Sequence, residues 1–281
     1  MAKILLLGDT HGQFWDIERV QLEAIKKFPS LDCAIQVGDF GFYPLCFDKW
    51  IKWGDAYRDK NYKLPLKTIV IDGNHEDHEW LKSQNIKEME EKYNIFFKQR
   101  GTEETIDGAS IGFFGGALNV DRPQEGSIDK RTTNYALRIE VEEGLKVFNS
   151  CQKIDLMVTH SCPHSIGVGM AGHPMFIESV EKFCHRKGHS TGKMEDCGEG
   201  SLRRLWHGLV NKPANWIYGH FHQLHFKSID STDFYCIGST DFSDGRHYVN
   251  PFIYDTKMKS IEYFNDIQLL NHSGFHKTRL L

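Results

Sequence analysis

Ile4-Leu5-Leu6-Leu7-Gly8-Asp9-Thr10-His11-Gly12 sets four aliphatic residues against a glycine, an aspartate and a histidine. A wholly apolar run of strand length is what a strand needs when both of its faces are covered. The stop at Gly8 then reads as a strand end, and Asp9 and His11 fall just beyond it. Outward from this run the pattern repeats, with apolar runs at 34–37 and 68–71 and helix-period segments at 15–28 and 47–57. Such alternation predicts an α/β arrangement, a parallel sheet with crossover helices.

After Tyr93 the signals change. Residues 105–106 and 110–114 flank Asp107-Gly108 as a hairpin would, which predicts a mixed sheet, and polar, turn-rich sequence fills 119–134. A helix is expected over 141–148 and a buried strand over 156–159, with a last core strand at 216–218. Strands at 226–229, 234–237, 251–254 and 261–264 complete the chain. Between His160 and Trp216 the segment 161–215 is rich in Gly, His and Cys, and it reads as an insertion near the active site with helices near 176–183 and 202–209. Residues 1–281 are expected to form a single domain, since this length fills one large core without demanding two.

Composition narrows the function. Hydrophobic residues at 40% and charged residues at 26% exclude a disordered chain. A net charge of −4 offers no global attraction to a polyanion, which argues against duplex nucleic acid while leaving nucleotides open as substrates. Seven cysteines, an odd number with no Cys-x-x-Cys, fit reduced thiols, and no apolar run approaches the roughly 20 residues of a membrane span. A cytoplasmic location is expected; oligomeric state is not legible.

The chemistry lies where polar residues meet strand ends. Asp9 and His11 follow the first strand, Asp39 the second, Asn74 and His75 the third, His160 a later one, and His220 and His222 the last core strand. In open α/β sheets the crevice lies outside the carboxyl ends of the strands, so these residues are expected to converge. Two Asp, one Asn and four His mix hard oxygen with imidazole, a set suited to Mn²⁺, with Fe or Zn²⁺ as alternatives. Seven ligands exceed one ion with an open position and suit two divalent metal ions sharing a carboxylate, for which Asp39 is the natural bridge. A water or hydroxide held between the two ions would have its pKa lowered toward neutrality and supply a nucleophile.

Taken together, Gly8-Asp9-Thr10-His11-Gly12, Gly38-Asp39-Phe40-Gly41, Gly73-Asn74-His75-Glu76, Thr159-His160 and Gly219-His220-Phe221-His222 resemble, in order, the motifs of calcineurin-like metallophosphoesterases. The resemblance implies a two-layered mixed β-sandwich flanked by helices. It also implies that Asp9, His11, Asp39 and His222 hold one metal while Asp39, Asn74, His160 and His220 hold the other, with His75 protonating the leaving oxygen. The function so implied is hydrolysis of phosphodiesters or small phosphomonoesters, nucleotides among them, by in-line attack of the bridging hydroxide. Gly115-Gly116-Ala117 with Asn119-Val120-Asp121-Arg122 resembles a segment of small bacterial and phage members, which implies that Arg122 faces the substrate.

Rival readings are weaker. A Ser/Thr protein phosphatase shares the block from Gly8 to Phe14 but carries Asp-Arg-Gly after the second motif, where this chain has Asp39-Phe40-Gly41-Phe42. A nuclease of the same superfamily is a second rival, and a non-catalytic metal-binding module is a third. Cys162, His164, Cys184, His185, His189 and Cys197 fit no zinc-finger spacing and read as core or loop residues. Phe40, Phe47, Trp50, Trp53 and Tyr57 read mainly as core, whereas Phe42 and Tyr43 are placed to reach a substrate.

Overall fold

Ile4 and Leu6 of the first strand, β1 (Lys3–Leu7), face one hydrophobic core while Leu5 and Leu7 face another. Successive side chains of a strand point to opposite sides, so an unbroken aliphatic run belongs between two apolar layers. The computed structural model of the protein describes residues 2–57, 60–118, 136–169, 196–240 and 251–264. Along the first part run α1 (Phe14–Lys27), β2 (Leu31–Gln36), α2 (Pro44–Tyr57), β3 (Lys67–Val70), α3 (His78–Ser83), α4 (Ile86–Tyr93) and β4 (Ile95–Phe97). The hairpin β5 (Thr102–Ile106) and β6 (Ala109–Phe114) follows, then α5 (Arg138–Ser150), β7 (Leu156–Thr159), α6 (Gly200–Gly208) and β8 (Asn215–Tyr218). The last strands are β9 (His225–Ile229), β10 (Thr232–Cys236), β11 (Phe252–Asp255) and β12 (Ser260–Tyr263).

Among the described residues the strands form two six-stranded sheets, ordered β12-β11-β1-β2-β3-β4 and β5-β6-β7-β8-β10-β9. β1 to β4 are parallel, as are β6, β7, β8 and β10, with antiparallel strands at three of the four edges. Ile4, Leu6, Ile35, Val37, Ile111 and Val158 fill the layer between the sheets. The outer face of the first sheet packs on Phe14, Ile17, Phe47 and Trp50 from α1 and α2; that of the second packs on Val141, Leu202 and Leu205 from α5 and α6. This is the mixed β-sandwich flanked by helices that the motifs implied.

The expected hairpin is present, and Asp107 (φ 46°) and Gly108 (φ 81°) both take the left-handed conformation that a tight two-residue turn requires. α3, α4 and β4 were not anticipated. α3 starts where the Asp77 side chain accepts from Trp80 N at 2.9 Å, a cap that satisfies one of the free N–H groups of the first turn. The helix expected at 176–183 lies outside the described residues. Its flanks run side by side, with Cys197 N donating to Val168 O and Glu199 N to Cys162 O, each at 2.7 Å. Among the described residues no helix is long and apolar enough to cross a membrane.

Candidate metal centre

All five loops that carry the candidate ligands leave the carboxyl ends of parallel strands. Backbone hydrogen bonds fasten the first two together: Thr10 N and His11 N donate to Asp39 O at 3.0 and 2.8 Å, and Gly12 N to Phe40 O at 2.9 Å. Gln36, fully buried, donates from Nε2 to Gly8 O at 3.1 Å and to Gly38 O at 2.6 Å, so one side chain spans both loops. From the other sheet, Ser239 Oγ and Thr240 N donate to Asp9 O. The Asp9 loop is therefore fixed from both layers of the sandwich, its carbonyl from the second sheet and its neighbours Gly8, Thr10 and His11 from the first.

The side chains form two clusters. Asp9, His11 and His222 bring three ligand atoms within 4.8 Å of one another, and Asp39, His160 and His220 do the same. In the first, His222 Nε2 lies 2.9 Å from Asp9 Oδ2 and 3.1 Å from His11 Nε2. In the second, His160 Nε2 lies 3.3 Å from Asp39 Oδ2 and 3.1 Å from Asn74 Oδ1. The backbone N of His220 donates to both oxygens of Asp9, at 3.1 and 3.0 Å, and that of His75 donates to Asp39 Oδ1 at 2.7 Å. Asp9, Asp39, Asn74 and His160 are buried, while His11, His75, His220 and His222 reach partial exposure.

Burial and charge set the protonation. Burial alone would raise the Asp39 carboxyl, but the histidines around it, His160 foremost with His75 and His11, together outweigh burial and hold it well below the ordinary carboxylate range. Asp9 is likewise lowered against its burial by His160 and His222. Burial would lower His160, yet the two carboxylates push it up to about 10, and Val37 O at 2.8 Å from Nδ1 fixes its orientation. The two carboxylates are thus ionised and the proton sits on His160, and such a set of hard oxygens with imidazole suits divalent cations.

Strain and close packing centre on the same residues. His11, Asp39, His220 and His222 all have positive φ, between 47° and 68°, a conformation that costs a non-glycine residue roughly 1–2 kcal/mol. A methyl group at Gly73 would stand 2.1 Å from Asp39 Oδ1, and one at Gly219 would stand 2.2 Å from Asp9 Oδ1. The two carboxylates therefore sit in cradles that only glycine leaves open.

Glu76 stands within a motif, yet sequence reasoning gives it no role. Its carboxylate accepts from Phe40 N at 2.7 Å, Gly41 N at 3.1 Å and Phe42 N at 2.7 Å, and so clamps the loop that carries Asp39. Burial, with Asp39 nearby, pushes Glu76 up to about 8 despite these three donors. A charged residue directly after an Asn-His pair was the only available signal.

Phe42 corrects an expectation: it is fully buried, stacked among Phe40, Phe47 and Phe97, and turned away from any substrate. Tyr43 is exposed. Phe40, Phe47 and Trp50 are core, as expected. Cys162 and Cys197 are buried in the core of the second sheet, and His164 contacts Ser165 and Arg203. Arg122, Cys184, His185 and His189 lie outside the described residues.

Similarity to known proteins follows the same lines. The sequence profile of the calcineurin-like phosphoesterases matches residues 2–224. One crystal structure superposes with a TM-score of 0.58 at 17% identity, covering 94% of this chain and 98% of the other. The protein TT1561 of Thermus thermophilus superposes with a TM-score of 0.52 at 12% identity, again with 94% and 98% covered. A novel archaeal phosphodiesterase covers 93% and 98% at 15% identity and a TM-score of 0.40, a likeness too loose to carry its activity across. No curated protein matches the chain in sequence.

Proposed function

The chain belongs to the calcineurin-like phosphoesterase family, and from that premise we propose that it is a binuclear metal-dependent hydrolase of phosphodiesters or small phosphomonoesters, nucleotides among them. The observation that carries the proposal is the pair of ligand clusters, Asp9/His11/His222 and Asp39/His160/His220, at one rim of the sandwich. In this reading Asp9, His11, Asp39 and His222 hold one divalent ion, and Asp39, Asn74, His160 and His220 hold the other. Mn²⁺ fits the mixed donors first, with Fe or Zn²⁺ as alternatives. Ions bound there supply a water of lowered pKa and positive charge against the phosphoryl oxygens.

The chain's own groups do the remaining work. His75 has its backbone tied to Asp39 and its ring centroid 5.5 Å from that of His11, outside both clusters. It holds a proton for the departing oxygen, the role of a general acid. Arg122 pairs with a phosphoryl oxygen in this proposal, and its planar fork suits two parallel hydrogen bonds. Residues 1–281 act as one domain in the cytoplasm, with the 161–215 insertion beside the site selecting the substrate.

Activity on an aryl phosphodiester, assayed with added Mn²⁺, tests the proposal. Asp39→Ala and His220→Ala are expected to lose nearly all of it, and full activity in either variant would overturn the assignment. Fewer than one ion bound per chain, with no turnover on monoesters, linear diesters or cyclic nucleotides, would favour a non-catalytic module instead.

A further inference from the structure

Asp72, the residue before Gly73-Asn74-His75, is the hub of a buried ionic network outside both ligand clusters. Arg100, in the turn between β4 and β5, donates to Asp72 Oδ2 from Nε at 3.0 Å and from Nη2 at 2.6 Å. Its Nη1 donates to Glu140 Oε2 at 3.0 Å, and that same oxygen accepts from Leu137 N at 2.7 Å at the start of α5. The Arg100 and Asp72 side chains are only 9% and 5% exposed. On its other side Asp72 meets the loop after β6: its carbonyl accepts from Gly116 N at 2.8 Å, and a methyl at Gly115 would stand 2.1 Å from its Oδ1. Two residues further along, Leu118 N donates to the buried carboxylate of Glu199 at 2.9 Å.

Stability does not account for this network. Desolvating a guanidinium and its carboxylates costs several kcal/mol per ion, and apolar residues of similar volume often serve as well. What a planar guanidinium adds is geometry, because Nε and Nη2 converge on the one oxygen Asp72 Oδ2 while Nη1 holds Glu140, so a single rigid plate fixes the spacing of the two carboxylates. From Asp72 the chain enters Gly73, packed against Asp39, with no slack before Asn74 and His75.

We infer that Arg100 is a positioning residue of the metal centre: through Asp72, against which the Gly115–Gly116 loop packs, it sets where Asn74 and His75 stand. The inference rests on the binuclear reading above. A cavity of about 470 Å³ adjoins the network and is lined by Asp72, His78, Arg100 and Glu140 among others, so a small planar cation can reach the place of a deleted guanidinium.

Calorimetric titration of Mn²⁺ into the full chain, without turnover, tests it on wild type, Arg100→Ala and Arg100→Lys, each checked for folding by circular dichroism. Wild type is expected to bind two ions. Arg100→Ala should bind one ion as wild type does and the other about 10–100-fold more weakly, the usual penalty for losing a group that orients a ligand. A non-denaturing concentration of guanidinium chloride should restore most of that affinity. Arg100→Lys should stay deficient, since an ammonium does not reproduce a three-contact fork, and it decides the matter if Arg100→Ala fails to fold. Wild-type affinity at both sites in the folded variants would overturn the inference while leaving the enzyme reading intact, as would equal weakening at both sites without guanidinium rescue. Fewer than one Mn²⁺ on wild type would instead remove the binuclear reading itself.

Discussion

Gly73 and Gly219 stand where a single methyl group would collide with a candidate ligand carboxylate, at 2.1 and 2.2 Å. Gly73→Ala must move Asp39 or the loop behind it, so a fall in Mn²⁺ affinity is expected together with a loss of about 1–3 kcal/mol from overpacking. Titration calorimetry and thermal melting read the two effects, and unchanged values in both would show that the cradle is loose. His75 makes the opposite prediction. His75→Ala should keep its metal stoichiometry while kcat falls roughly 10²–10⁴-fold, most for poor leaving groups; metal loss would make it a ligand. His160 sets a pH dependence. Its folded pKa is raised from 6.5 to about 10, so its contribution to the stability of the metal-free chain is complete below pH 6.5 and lost as pH rises through about 10. A cation entering that cluster displaces the proton, so Mn²⁺ affinity should climb across the same window with release of about one proton. Calorimetry in buffers of different ionisation enthalpy measures the release. An affinity flat across that window with none released would sink the point.

Among the elements, those that carry ligands were the readable ones, because the same strand ends show both an apolar run and a polar break. β1, β2, β3, β7 and β8 each bury all or most of their residues, which leaves Asp9, Asp39, Asn74, His160 and His220 conspicuous at their ends. β4 has three residues and α3 six, too few for a periodic signal, and they were missed. Phe42 was misread for a related reason: proximity to Asp39 in sequence does not say which face of the loop a side chain takes, and Glu76 decides it by gripping the backbone of Phe40, Gly41 and Phe42. Glu76→Gln replaces one acceptor oxygen with an N–H₂ that opposes a backbone N–H. A loss of about 1–3 kcal/mol follows from one unsatisfied buried donor, together with weaker Mn²⁺ binding through Asp39. Melting and metal titration check this element-level role, and a variant with wild-type metal affinity would confine Glu76 to holding the fold.

For the molecule as a whole, the candidate ligands divide between the two layers: Asp9, His11, Asp39 and Asn74 come from the first sheet, His160, His220 and His222 from the second. No local pattern announces a tie such as Arg100 with Asp72, since 28 positions separate them and each alone is an ordinary charged residue. The division of ligands has a thermodynamic consequence. An ion held by both layers binds only while the sandwich is closed, so it stabilises the folded state by mass action, about 2.7 kcal/mol at one hundred times the dissociation constant. At roughly 2–4 °C per kcal/mol for a large domain, saturating Mn²⁺ should raise the melting temperature of the metal-free chain by about 5–10 °C, and chelation should reverse the shift. Asp39→Ala should lose most of that response, because its carboxylate faces ligands from both layers. Equal melting with and without Mn²⁺ in the wild type would mean that the two halves of the centre do not close on shared ions.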